Sequence, residues 1–218
     1  MDLWQVLEQR RTIRSFQDRP VEPHLIEKAI RAALMAPAYN HLWEWGFILL
    51  RDREFRRRVV DEGLGVRDVK DAALLKRWFA GLPPEARKIY LRALPVQREM
   101  LLSASELIIP VYRTKKHERV PKDPSDLNAH AAIWMAIAYL LLSLAEDGLY
   151  SCTMPPDDTT KAKAMLNLPA DWEIAALLPV GYPKVLPPKV GRPTDPGKFI
   201  HVNGFQGFTL PTTEEQME

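Results

Sequence analysis

The chain has 218 residues, 46% of them apolar and 27% charged, with 30 Lys and Arg against 28 Asp and Glu. A chain of this size buries roughly 70% of its unfolded surface, and its composition excludes wholesale disorder, collagen-like repeats and coiled coils. The net charge of +2 gives no electrostatic argument for a nucleic-acid partner or an anionic membrane.

Cys152 is the one cysteine, which excludes an intramolecular disulfide and Cys-rich metal sites and fits a reducing compartment. The opening residues hold Asp2 and Glu8 and no apolar leader, so the expected location is cytoplasmic. In chain order, Asp2 can cap a short helix with Leu3, Val6 and Leu7 on one face. The basic stretch Arg10-Arg11-Thr12-Ile13-Arg14-Ser15-Phe16 follows it directly. Pro23 starts a second helix, whose Leu25, Ile26, Ala29, Ile30 and Ala33 repeat at helical spacing until Pro37. Phe47-Ile48-Leu49-Leu50 reads as a central strand.

From about 53 to 100 the helical pattern is broken by Gly63, Gly65 and Gly81-Leu82-Pro83-Pro84, which predicts three helices on mobile connections. Leu107-Ile108-Ile109-Pro110-Val111-Tyr112 reads as a strand that Pro110 assigns to an edge or a strand end. A charged loop leads to a long helix over about 128–146, stopped by Gly148. The apolar run 131–145 is too short for a bilayer. A short helix over 162–168, a strand over 174–182 and a possible strand at Phe199-Ile200-His201-Val202 complete the order.

This order predicts one α+β domain over 1–218, with helices around a small sheet. The long helix is apolar almost all round, from Ile133 to Leu144, and needs cover on every side. A homodimer centred on it is the preferred arrangement.

Few signatures of catalysis occur. His24, His41, His117, His130 and His201 have no ligand spacing, so no metal site is expected. Walker, GxGxxG and GxSxG patterns are missing, and a lone Cys152 reads as a small buried hydrophobe. Arg10, Arg11 and Arg14 around the Thr12 hydroxyl make either a phosphate cradle or a solvated turn that complements a helix dipole.

Four motifs come in sequence. They are Arg10-Arg11-Thr12-Ile13-Arg14-Ser15-Phe16, then Ala36-Pro37-Ala38 through Trp45 and Phe47, then Gly148-Leu149-Tyr150-Ser151-Cys152, and last Gly181-Tyr182-Pro183 with Arg192-Pro193. In this combination the chain resembles the flavin-dependent nitroreductase family. The resemblance implies that family's fold: a small mixed sheet flanked by helices and a long central helix at a homodimer interface holding FMN. It implies reduction of FMN by NADH or NADPH, then of a small-molecule acceptor such as a nitroaromatic or quinone, in ping-pong fashion.

By the same resemblance Arg10, Arg11 and Thr12 hold the FMN phosphate and ribityl chain, and Lys189 and Arg192 add charge from the tail. Arg14 lies near flavin N1 and O2, where a cation stabilises the charge of reduction, and His41 meets the pyrimidine side. Pro37, Ala38, Tyr39 and Gly181 join them as cofactor contacts.

Two departures from the family pattern stand out. Trp43-Glu44 replaces the usual Gln-Pro, and Met154-Pro155-Pro156 lies where a backbone N–H commonly donates to flavin N5. Proline has no N–H, so the Thr153 hydroxyl, as in the iodotyrosine deiodinase branch, or the Met154 N–H takes that place. Thr153 and Arg14 are therefore the two residues assigned to the chemistry. The stretch 67–94, with Trp78, Phe79 and Tyr90, reads as a lid. Reductive dehalogenation and non-catalytic FMN binding are the alternatives.

Overall fold

The computed structural model describes residues 1–114, 127–188, 195–205 and 207. Lys189 and Arg192 lie outside the described residues. Residues 1–186 and 187–218 form two contact units.

In the first unit, α1 (Leu3–Gln9) is opened by a capping box in which Asp2 and Gln5 exchange hydrogen bonds. Helix α2 (Pro23–Leu34) follows, with Ile26, Ala29 and Ala33 buried. Strand β1 (Trp45–Leu49) leads to α3 (Arg53–Arg58), capped by Asp52, which runs on into a π-helical turn at Val59–Gly63. Then come α4 (Ala72–Trp78), α5 (Pro84–Ala93) and α6 (Gln97–Ser103). Strand β2 (Glu106–Arg113), helix α7 (Asn128–Glu146) and the short β3 (Tyr150–Ser151) follow. Helix α8 (Thr160–Met165), β4 (Trp172–Ile174) and β5 (Leu178–Gly181) complete the unit.

The strands form one sheet in the order β1-β2-β5-β3, with β4 also paired to β2. Every ladder is antiparallel. The expected mixed character is confined to one parallel bridge, Thr12 with Ser151.

The strand over 107–112 is no edge, contrary to the reading of Pro110; it is the most heavily paired strand in the sheet. Its β1 side is closed at Leu107 and Arg113 by bonds with Leu50 and Glu44. On the other side its partner changes from β5, at 106–108, to β4, at 111–113. Pro110 sits at that change, where no ladder donor is needed, and its carbonyl accepts from Ala175 N at 2.9 Å. The same change splits the expected single strand over 174–182 into β4 and β5. Between them Leu177 exchanges hydrogen bonds with Met154.

Helix α7 buries Ile133, Ile137, Leu140 and Leu144 against α2 and β2. At 19 residues it exceeds the apolar run read from the sequence and is about 28 Å long, close to a bilayer core. Its packed face marks it as a core helix. Ala131, Met135, Ala138 and Tyr139 on its other side are exposed, an apolar stripe no described residue covers.

The stretch expected as a variable helical insertion, about 53–100, holds both core and peripheral residues. Val59, Val60, Val66, Met100 and Leu101 belong to the main core, so only the stretch between Val66 and Met100 leaves it. That excursion is closed at its base, where Val69 N donates to Leu94 O at 3.0 Å and Gln97 Nε2 to Arg67 O at 2.8 Å.

In the second unit, Asp195 caps a 3-10 turn at Pro196–Phe199. That turn consumes the first residue of the expected strand at Phe199-Ile200-His201-Val202, and no strand forms there.

Two tests follow from this packing. A Cβ on Gly181 would lie 3.1 Å from Cδ1 of the buried Phe16. Gly181→Ala should therefore lower stability in urea by about 1–3 kcal/mol, and a second change, Phe16→Leu, should restore part of it. His130 stacks on Tyr112 with ring centroids 5.2 Å apart, and burial holds its imidazole below the ordinary value. The unfolded chain then binds the proton first, so stability is full above about pH 6.5 and declines as pH falls. His130→Gln should narrow the gap in melting temperature between about pH 7.5 and pH 5.5.

Candidate functional site

The basic stretch leaves α1 at Arg10 and runs extended beside β3. Ile13 N donates to Ser151 O at 3.1 Å, and further on Gln17 N donates to Tyr182 O at 2.8 Å. Buried Ile13 and Phe16 anchor it to the core, while Thr12 is exposed and Arg10, Arg11 and Arg14 are half-buried. The fold thus anchors the three arginines by the apolar residues between them.

Arg11 has a structural duty as well. Its Nη1 donates to the carbonyls of Glu8 and Arg10 at the end of α1. The helix-end reading of the stretch is thereby met by Arg11 Nη1. Arg11 Nε is buried without a partner, and so is Ser151 Oγ, across the bridge from Thr12. Buried unpaired polar atoms are costly, and two along one segment of cations are suited to an anion such as a phosphate monoester. The residues present fit the phosphate end of a flavin mononucleotide. Ser151 was part of a quoted motif without a role, because its place beside Thr12 exists only through strand pairing.

The Arg14 guanidinium draws the pKa of the Cys152 thiol down. Burial pushes that thiol up more strongly than Arg14 draws it down, so Cys152 is an inert core residue. Among the described residues no three His, Cys, Asp or Glu are arranged to hold a metal ion.

Thr153 and Met154 continue from Cys152 on the same side of the sheet. Met154 N donates to Leu177 O at 3.1 Å, and Met154 O accepts from Leu177 N at 2.8 Å. The Met154 N–H is thereby spent in the sheet and is corrected as an N5 donor. The half-buried Thr153 hydroxyl remains. At Gly181 the missing side chain leaves room for Phe16, so packing explains this glycine.

Pro37, Ala38, Tyr39 and His41 are placed elsewhere. They lie in the connection from α2 to β1, where Asn40 and His41 both adopt left-handed backbone, φ 49° and 54°. Two consecutive residues of this kind are strained, and Tyr39, His41, Leu42 and Trp43 are all exposed. The Glu44 of the first departure turns to the sheet end. Its carboxylate lies 3.4 Å from Arg113, whose Nε meets Asp171 at 2.6 Å.

The two groups of residues sit on opposite edges of the sheet. Counting the Thr12 segment, four strand spacings separate them, about 19 Å. The α2–β1 connection adjoins the start of α7, where Tyr112 stacks on His130. The arginine group adjoins the β3 that leaves the end of α7 through Gly148.

A family model described as the nitroreductase family matches residues 7–182. An iodotyrosine deiodinase of Thermotoga neapolitana is 28% identical over 194 residues, covering 87% of this chain and 93% of that protein. An NADH dehydrogenase of Thermus thermophilus is 28% identical over 185 residues, covering 80% and 83%. Among solved structures, oxidized iodotyrosine deiodinase bound to FMN and 3-iodo-L-tyrosine superposes with a TM-score of 0.71 at 22% identity, covering 94% of this chain and 100% of that one. An FMN-dependent nitroreductase of Clostridium difficile R20291 gives 0.65 at 19% identity, covering 93% and 100%. An α+β chain with this sheet and this arginine segment is of the nitroreductase type. The chain belongs to the nitroreductase family.

Proposed function

We propose that the chain is an FMN-dependent oxidoreductase, working as a homodimer, that accepts hydride from NADH or NADPH and reduces a nitroaromatic, a quinone or a similar electron-poor acceptor. The observation that carries this reading is the division of the cofactor residues between the two ends of α7. One small cofactor does not reach both groups within a single chain. A two-fold antiparallel pairing of α7 with its copy sets the Tyr39–His41 connection of one chain against Arg10, Arg11 and Arg14 of the other. The apolar stripe through Met135 and Tyr139 supports the same pairing, because it lies on the helix such an interface uses.

In this reading the bound flavin supplies hydride and electron transfer. Arg10, Arg11 and Thr12 hold the phosphate and ribityl chain, and Ser151 Oγ gives a further donor. Arg14 holds a fixed positive charge beside N1 and O2. Thr153 offers its hydroxyl to N5. Lys189 and Arg192 are proposed to add charge at the phosphate.

Purified protein should be yellow, dimeric, and able to oxidise NADH or NADPH with menadione. Arg11→Met should weaken FMN binding roughly 10- to 100-fold, as loss of charge-assisted hydrogen bonds does, read by flavin fluorescence. Met135→Glu, far from any phosphate contact, should give a monomer that also loses FMN. A monomeric Met135→Glu chain that keeps full FMN affinity would refute the shared site.

Reductive dehalogenation is the second reading. It is favoured by the spent Met154 N–H and the remaining Thr153 hydroxyl, and by the deiodinase relatives. Iodide release from 3-iodo-L-tyrosine under reducing conditions, lost in Thr153→Val by about 2- to 10-fold, would support it. Turnover of menadione without any iodide release would favour the first.

A further inference from the structure

The asparagines of the chain are Asn40, Asn128, Asn167 and Asn203. Asparagine is among the chemically labile residues of a protein. Its side-chain carbonyl carbon lies within reach of the backbone nitrogen of the next residue, and attack by that nitrogen closes a five-membered ring. The attack needs a following N–H free of hydrogen bonds, a following side chain that does not block it, and a backbone able to turn.

Asn40, Asn128 and Asn167 do not meet these conditions. Asn40 and Asn167 share left-handed backbone with Asn203, at φ 49°, 53° and 61°. After Asn40, His41 N donates to Ala38 O at 3.2 Å, and after Asn167, Leu168 N donates to Lys163 O at 2.9 Å. Asn128 opens α7, and Ala129 continues its helical backbone. The Asp147-Gly148 pair, which can cyclise by the same route, is held as well. Gly148 N donates to Ala145 O at 3.1 Å, and Lys28 Nζ grips both carboxylate oxygens of Asp147 at 2.9 Å.

Asn203 meets all of them. Its neighbour is Gly204, which has no side chain to hinder the nitrogen. Both residues are exposed in a bend, and neither the Asn203 side chain nor Gly204 N–H makes a hydrogen bond with a described residue. The rings of His201 and Phe205 meet across that bend with centroids 4.7 Å apart, which leaves the pair at its tip. Among the described residues nothing requires a glycine at 204. A Cβ there would meet no atom within 4 Å, and its backbone is not left-handed, unlike that of Gly65, Gly148 and Gly207.

We propose that Asn203-Gly204 is a self-modifying site, at which the asparagine converts to aspartate and isoaspartate. Gly204 N bonds to Asn203 Cγ, the bond from Cγ to the amide nitrogen breaks, and that nitrogen leaves as ammonia with the proton given up by Gly204 N. Water then opens the ring. Opening at Cγ gives aspartate; opening at the backbone carbonyl carbon of residue 203 gives isoaspartate, with the main chain rerouted through the side chain. Water is the only co-reactant, and nothing is oxidised or reduced. Either product adds a negative charge to the second unit, and the reaction is independent of the oxidoreductase reading.

The test uses the full-length protein, Gly204→Ala and Asn203→Gln, incubated at mildly alkaline pH and physiological temperature. A synthetic peptide of residues 199–207 serves as the clock. Conversion is read by peptide mass mapping, ammonia release and isoaspartate-specific methylation.

In the full chain Asn203 should convert within about threefold of the peptide rate, as an exposed segment without hydrogen bonds does. It should convert at least about tenfold faster than Asn40, Asn128 or Asn167 in the same digest. Gly204→Ala should slow conversion about tenfold with an unchanged melting temperature, because only the approach of the nitrogen is hindered. Asn203→Gln should abolish conversion at this position. A rate no higher than that of the other asparagines overturns the proposal, and so does conversion far slower in the folded chain than in the peptide. An equal rate in Gly204→Ala also overturns it, since Gly204 N would not be the attacking atom.

Discussion

The molecule is organised around an apolar helix that the described residues do not fully cover. Ile133, Ile137, Leu140 and Leu144 of α7 are at most 2% exposed, and each such side chain contributes about 1.5–3 kcal/mol by burial. That face requires α2 on one side and β2 on the other. With α7 seated, the chain's course is constrained. Gly148, in left-handed backbone at φ 71°, turns it from the helix end into β3, and β3 aligns the arginine segment. At the other end the stacked Tyr112 and His130 hold the helix start beside β1. The two groups of proposed cofactor residues are therefore held at opposite edges of the sheet and near opposite ends of α7.

Much of this was legible in the sequence because periodicity carried it. Helices α2 and α7 and strand β1 show apolar residues at the spacing their buried faces demand, and they form close to where that spacing puts them. Pro110 shows where such reading fails. A proline is excluded from a strand whose partner needs its N–H, and whether a partner needs it depends on a register the sequence does not contain. The change from β5 to β4 at that residue removes the demand. The same change hid the break between β4 and β5. At Phe199, a local signal was overridden by a stronger one, since Asp195-Pro196-Gly197 makes a capped turn with its own hydrogen bonds.

The candidate site divides along the same line. The residues were legible as motifs, but the atoms available for chemistry depend on hydrogen bonds between distant segments. Met154 and Leu177 are 23 positions apart and exchange two bonds, which removes one proposed donor and leaves Thr153. Glu44 stands at a departure from the family pattern, and Arg113, 69 positions on, engages its carboxylate. Arg11 reads as either a helix-end cation or an anion ligand; its Nη1 serves the helix end, and its buried Nε has no partner among the described residues.

That division separates two kinds of positive charge in the chain. Arg11 and Arg14 are half-buried, and Arg11 is oriented by backbone carbonyls, so it can hold an anion at one place with little further ordering. Lys76, Arg77, Lys88 and Arg92 of α4 and α5 have no side-chain partner among the described residues and lie in water, where a single contact is worth little. Their number and sign can still act over a distance, through the rate of encounter rather than the geometry of binding. Fixed charges thus set the geometry of an anion contact, and diffuse ones the rate of approach. The arginines beside β3 suit the first task, the exposed cations of α4 and α5 the second.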